Sequence, residues 1–241
     1  MLLGKKKKKL KVKEIIMPDK TNLINIPHQY KGRLFVVEGT DGSGKSTQIQ
    51  LLQKWLEFNG YGTVFTEWNS SPLISRTIKK GKKKSILNNL CFHLLHATDF
   101  ADRLQSIIIP ALKEGRIVLA DRYAYTALAR DVARGCDPEW ARNTYSFAIK
   151  PNGIFYFKVP VEISLKRITV TRQPKYYEAG MDIHLSADPI KSYLKFQSMV
   201  IAEYDKMISE FGFDVIDGTK PIPEQQQLFR TKIEKLIKGR S

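Results

Sequence analysis

The sequence predicts an α/β fold: a five-stranded parallel sheet flanked by helices on both faces, with one irregular segment late in the chain. Three observations predict it. Short apolar runs alternate with longer stretches whose apolar residues recur at helical spacing. The short runs are almost continuously apolar, as strands covered on both faces are. The chain has 241 residues, 42% of them apolar and 27% charged, enough to build one such core without disulfides or a structural metal.

Taken in order, Leu34–Glu38 is an apolar run that stops at a glycine turn, so it reads as the first strand. Ser46–Phe58 carries Ile49, Leu52, Trp55 and Leu56 on one stripe and ends at Asn59-Gly60, a helix with its stop signal. Thr63–Thr66 is the second strand. Leu87–Glu114 is helical, with Pro110 as a kink or boundary. Arg116–Asp121 is the third strand, followed by helices over Tyr123–Arg134 and Glu139–Ala148. Gly153–Lys158 is the fourth strand and Val161–Thr169 the next helix. Residues 170–187 break the period. Pro189–Phe211, Phe213–Asp217 and Pro223–Lys238 then give a long helix, the fifth strand and a closing helix. In such folds ligands bind beyond the carboxyl ends of the strands, and the first three strands end at or beside Glu38, Glu67 and Asp121.

Charge narrows the partners. The formal net charge is +16, which favours anionic ligands such as nucleotides, nucleic acid or an acidic membrane. Residues 1–32 hold nine lysines, five of them consecutive, against Glu14 and Asp19. Such a block repels itself, so residues 1–30 read as a disordered basic arm, making at most weak nonspecific contact with polyanions, ahead of a single domain over 31–241. A second cluster, Arg76 to Lys84, reads as an exposed basic loop, with proximity to a bound phosphate as the functional alternative. No apolar run is long enough for a transmembrane helix. Two cysteines, Cys91 and Cys136, are too few for a disulfide framework and fit a reducing, cytoplasmic setting. The four histidines show no ligand spacing with them, so no structural zinc is predicted.

One motif carries chemistry. Gly39-Thr40-Asp41-Gly42-Ser43-Gly44-Lys45-Ser46-Thr47 follows the first strand and opens the first helix, the setting that a phosphate-binding P-loop requires. Its glycines permit backbone angles that turn successive N–H groups inward onto phosphate oxygens. The helix behind presents its positive end to the same phosphates. Lys45 is placed for the β- and γ-phosphates, and the Ser46 hydroxyl for Mg²⁺. The fold class is thus that of P-loop NTPases, with ATP and Mg²⁺ as the implied cofactors. The cradle alone does not name an acceptor.

The acceptor comes from a resemblance. The stretch Phe35–Gln48, then Ala101-Asp102-Arg103, then Pro110–Tyr123 ending in Asp121-Arg122-Tyr123, resembles the thymidylate kinase family in order and spacing, over about residues 33–238. The resemblance implies transfer of the γ-phosphoryl group of ATP to dTMP. It implies that Asp121 orients Mg²⁺, that Arg122 holds the acceptor phosphate with Arg103 and Arg76 as further cations, and that Asp41 meets the sugar 3′-hydroxyl. Thr126 falls at a small hydroxyl position near the base. The branch without an arginine in the P-loop takes its transition-state cation from a lid. Residues 170–187 sit where that lid would be, and Arg172, nearer the loop than Arg167, is the candidate. Glu178 and Asp182 would face the acceptor, magnesium or solvent. The family often forms dimers, so a homodimer through the long helices is expected.

Three departures concern the acceptor. Asp99 stands where the family has a stacking Phe, with Phe100 one residue later, about 100° around a helix. Arg130 stands where an aromatic side chain crowds the sugar. The arginine usual after the second strand is missing from Thr66-Glu67-Trp68-Asn69. Another pyrimidine or modified monophosphate is therefore a rival acceptor. A non-catalytic ATP-binding module using the lysine arm on nucleic acid is a rival of another class. A nucleoside kinase with Glu38 or Glu67 as base is a third.

Overall fold

Alternation along one strand sets the layers. Leu34 and Val36 point to one side of the sheet, Phe35 and Val37 to the other, and all four are fully buried. A computed structural model describes residues 26–239. Its strands are β1 (Arg33–Glu38), β2 (Thr63–Glu67), β3 (Ile117–Asp121), β4 (Gly153–Lys158) and β5 (Asp214–Asp217). They pair only in parallel, in the order β2-β3-β1-β4-β5. The register sets Asp121 opposite both Val37 and Glu67, which brings the carboxyl ends of β1, β2 and β3 to one edge of the sheet.

Two helices cover one face: α1 (Lys45–Phe58), through Ile49, Leu52 and Leu56, and α9 (Ile222–Lys238), through Phe229 and Ile233. The other face is covered by α3 (Asn89–Arg103), α4 (Ile109–Lys113), α5 (Ala124–Val132), α6 (Pro138–Thr144) and α8 (Pro189–Phe211). Between α3 and α4 the predicted kink takes the form of a π-helical turn, Leu104–Ile108. Pro110 has no N–H to give the preceding turn, and the wider turn absorbs the missing bond. A smaller cluster joins α7 (Val161–Thr169) to α8 through Val161, Ile168, Ala179 and Tyr193.

Two expectations need correction. The basic cluster is not a loop but most of a helix, α2 (Ser75–Lys84). Ile78 and Gly81 bury one side of it, with Leu87 against Gly81, while Lys82, Lys83 and Lys84 sit at the helix's negative end, which favours cations. The ordered chain also begins before residue 31. Ile26 bridges Ile149 and exchanges backbone bonds with Ala148 and Lys150. The lysine run itself lies outside the described residues. Residues 170–187 hold only a 3₁₀ turn, Met181–Ile183, and are tied to α8 by Ser192 Oγ–Ala179 O (2.7 Å) and Gln197 Nε2–Glu178 O (2.7 Å).

Candidate active site

The P-loop is shaped by glycine. Gly42 has φ +82°, and a Cβ there would meet the Ser164 carbonyl at 2.6 Å. Gly44 caps α1 in a left-handed conformation with no side chain bonded to the first-turn amides, which leaves those donors to a ligand. The loop is braced from outside: Ser164 Oγ donates to the Asp41 carbonyl, and Arg167 reaches the Gly42 and Ser43 carbonyls (both 3.4 Å) and the Gly218 carbonyl (2.8 Å). Arg167 thus supports the cradle, a role its helical position did not reveal.

Lys45 is buried, and its Nζ rests 3.4 Å from the Thr40 carbonyl. Burial first, then Arg122, pushes its ammonium pKa down; Asp121 and Asp41 pull it back up. The Ser46 hydroxyl donates to Asp121 Oδ2 at 3.0 Å, while Asp121 Oδ1 is buried without a hydrogen-bond partner. A hydroxyl beside an unsatisfied carboxylate oxygen is the hard-oxygen donor set that Mg²⁺ takes, together with nucleotide phosphates. These two residues fit the metal. Among the described residues no group of three or more His, Cys, Asp or Glu side chains could hold an ion by itself.

Arg122 follows β3 directly, in a left-handed conformation (φ +74°), with its N–H on the Val37 carbonyl at 2.9 Å. Its guanidinium donates to Asp41 Oδ1, and Arg130 donates to Asp41 Oδ2. Burial alone would raise the Asp41 pKa; the two guanidinium groups outweigh it and hold the carboxyl well below its usual range. Arg130, read from sequence only as a departure, is therefore part of the site.

Lys45, Ser46, Asp41, Asp121, Arg122 and Arg130 all line one cavity of about 760 Å³. Its far end is walled by Trp68 and Asn69 after β2, by Lys79, Lys82 and Lys83 of α2, by Phe92 and His96 of α3, and by residues 175–178. Lys82 lies 5.1 Å from the Phe92 ring centre, and burial, then the charges of Arg130 and Arg122, pushes its pKa down to about 7. Three lysines of the basic cluster thus line the cavity.

Several predicted residues lie elsewhere. Arg76 is exposed and outside the cavity wall. Phe100 is fully buried against Tyr123 and Phe147, so it packs the core instead of facing the cavity. Arg103, also fully buried, donates to Asp99 Oδ2 (2.9 Å) and Thr66 Oγ1 (3.2 Å) beneath Trp68. Thr126 donates to Glu38, which also accepts from Tyr204 (2.8 Å) and the Tyr123 amide (2.8 Å). That enclosure, with burial raising the Glu38 pKa, leaves Glu38 away from the cavity and unsuited to act as a base there. Arg172 pairs with Glu178 (2.7 Å), and Asp182 with Arg134 (2.7 Å).

A P-loop and a pair of arginines sharing one cavity is the arrangement of a phosphoryl-transfer enzyme, and comparison with known proteins places it. Residues 37–228 match the family model described as thymidylate kinase. The chain belongs to the thymidylate kinase family. It is 48% identical over 199 residues to a probable thymidylate kinase 2 of Saccharolobus solfataricus, covering 81% of this chain and 92% of that protein. It is 36% identical to a probable thymidylate kinase of Thermococcus kodakarensis (68% of this chain, 83% of that protein). It is 30% identical to a thymidylate kinase of a Geobacillus strain (87% and 100%). This kinase has no helix, among its described residues, long and apolar enough to cross a membrane.

Proposed function

We propose that this chain phosphorylates dTMP to dTDP with ATP and Mg²⁺. One observation carries the reading: the open helix end of the P-loop and the Arg122–Asp41–Arg130 cluster line the same cavity. An acceptor oxygen of dTMP attacks the γ-phosphorus of ATP, the bond to the β–γ bridging oxygen breaks, and ADP leaves. Little covalent work falls to the protein, so catalysis is alignment and charge compensation. The amides of Gly39–Thr47 and the Lys45 ammonium hold the donor phosphates. Arg122 and Arg130 hold the acceptor phosphate, and Asp41 keeps both guanidinium groups aimed while accepting from the 3′-hydroxyl. Ser46 and Asp121 hold Mg²⁺, which spreads phosphate charge when bound. Arg172 supplies the transition-state cation by exchanging Glu178 for the phosphate, and Arg103 closes the base end of the site.

The test is ADP release over a panel of ribo- and deoxyribonucleoside monophosphates, with Lys45→Ala as control. Release that depends on dTMP and vanishes in the variant supports the reading; ATP binding with no turnover on any monophosphate overturns it. Two copies pair through α3, whose Leu90 and Leu94 side chains are exposed on one stripe, a state that size-exclusion chromatography would read. The two free cysteines support a cytoplasmic setting. The lysine arm makes weak, salt-sensitive contact with polyanions, measurable as heparin retention with and without residues 1–25.

A further inference from the structure

Helix α2 carries more positive charge than its packing accounts for. Between Glu67 and Asp99 the chain has no acidic residue, yet this stretch holds Arg76, Lys79, Lys80, Lys82, Lys83 and Lys84. All of these but Lys82 are exposed, and none of the exposed five makes an ion pair among the described residues. At about 100° per residue the five fall within an arc of roughly 140°, opposite the buried Ile78. Arg76 and Lys80, Lys79 and Lys83, and Lys80 and Lys84 are each one turn apart, so like charges adjoin along the helix and weaken it. Ile78 and Gly81 account for the inward side of α2; nothing inside the domain calls for the outward one. Lys79 and Lys83, on one side of the arc, also line the active-site cavity, while Arg76, Lys80 and Lys84 lie off it.

Charge density selects a partner. From Arg76 to Lys84 the row is about 12 Å long, so it carries one positive charge per roughly 2.4 Å. Duplex DNA carries one negative charge per about 1.7 Å of its axis, or about 3.4 Å along one strand, which matches. Lysine and arginine side chains only donate, which suits phosphate oxygens and reads no base. Residues 69–91 include no aromatic side chain, so the bases of a single strand would find no platform to stack on. The apolar side of α2 is buried in the domain, which leaves no apolar face to enter a bilayer, and the exposed Leu73 and Ile86 lie beyond opposite ends of the helix.

We infer that the outward face of α2 is a docking surface for double-stranded DNA, held through its phosphates without regard to sequence. The inference does not depend on which acceptor the kinase uses. Fluorescence anisotropy of a labelled duplex of about 20 base pairs, titrated with the full chain between about 50 and 200 mM NaCl, tests it. Each phosphate contact adds about 0.9 to the slope of log affinity against log salt, so Lys80→Gln/Lys84→Gln is expected to lower that slope by about 2 and to weaken binding about tenfold or more at the lowest salt. Both chains keep the N-terminal lysines, so the difference reads α2 alone. The dTMP turnover and Tm of the double variant are expected to stay close to wild type, since both side chains are exposed and off the cavity. A second readout needs no variant: the duplex is expected to shield Lys80 and Lys84 of the wild type from amine acylation, read by mass spectrometry, while the exposed Lys166 of α7 stays reactive. An unchanged salt slope in the double variant, or equal acylation of Lys80 and Lys84 with and without the duplex, would overturn the inference and leave the kinase reading intact. So would tighter binding to a single strand of about 20 thymidines, or to phosphatidylserine vesicles, than to the duplex.

Discussion

At its donor end the cavity wall comes mainly from one short stretch of chain, the P-loop, through Asp41, Lys45 and Ser46, with Asp121 beside them. At its acceptor end the wall comes from the residues after β2, from α2, α3 and α5, and from the segment 175–178. The first wall is made of backbone, whose amides must point inward, and only glycine at set places allows that. The second is made of side chains, each held by packing or by a partner distant in sequence: Arg130 by Asp41, Tyr177 by Leu87. Backbone chemistry leaves a motif in the sequence. Side-chain chemistry assembled across five places leaves scattered residues whose meaning depends on the fold.

If that contrast is right, the donor end should be the more fragile. Lys45→Ala is expected to cut ADP release by a factor on the order of 100 or more, since a preorganised charge on the transferring group is lost. Gly42→Ala should impair nucleotide binding comparably, because the added carbon strikes the Ser164 carbonyl at 2.6 Å and φ +82° disfavours it as well. ATP titration separates the two: Gly42→Ala weakens binding, whereas Lys45→Ala acts mainly on turnover. Normal ATP affinity in Gly42→Ala would break the contrast.

Next in size is the arginine pair. Arg130→Ala is expected to raise the dTMP KM by about tenfold, with ATP affinity kept, because a buried carboxylate–guanidinium arrangement loses one arm. An unchanged KM would return Arg130 to a purely structural place.

Thr126→Val sharpens the comparison from the other side. Glu38 would lose one of its donors inside the core, at a cost of about 1–3 kcal/mol. The expected outcome is a lowered Tm with an unchanged dTMP KM. A raised KM at constant Tm would put Thr126 back beside the acceptor.

Lys82 gives a pH test. Its folded pKa of about 7 lies below the unfolded value near 10.4, so between those values the unfolded chain holds a proton that the folded chain has released. Stability attributable to this group therefore rises with pH across that window; the burden is full below about pH 7 and fades towards pH 10. Lys82→Met should flatten the dependence of Tm on pH between 7 and 9.5. The smallest effect is expected at Arg76, exposed and off the cavity wall: Arg76→Ala should change the dTMP KM by less than about twofold.

The same contrast explains how much was legible beforehand. Gly153–Lys158, Val161–Thr169 and Pro189–Phe211 have the bounds that periodicity and flanking residues assign them. The P-loop could be read because its spacing is a steric requirement. Lys79 and Lys82 were hidden because a lysine-rich stretch reads as solvated until Ile78 and Gly81 are seen to anchor it as a helix. Arg130 looked only like a missing aromatic, since its partner lies 89 positions away in sequence. Trp68, Asn69 and His96 carry no spacing rule at all. Arg103 was singled out by motif, but its burial under Trp68 is a property of packing that no local pattern encodes.

Arg134 sits four residues after Arg130 and bonds its carbonyl at 3.1 Å. Its other two nitrogens go to Asp182 and to the Tyr177 carbonyl, both at 2.7 Å, and its guanidinium is sandwiched by Phe92 and Phe196, 4.7 and 4.5 Å away. Arg134 thus anchors the segment 177–182, beside the ties from Ser192 and Gln197 of α8, and bonds the carbonyl of a residue that lines the cavity. Arg134→Lys, which would loosen this anchor, is expected to speed product release and weaken product retention together.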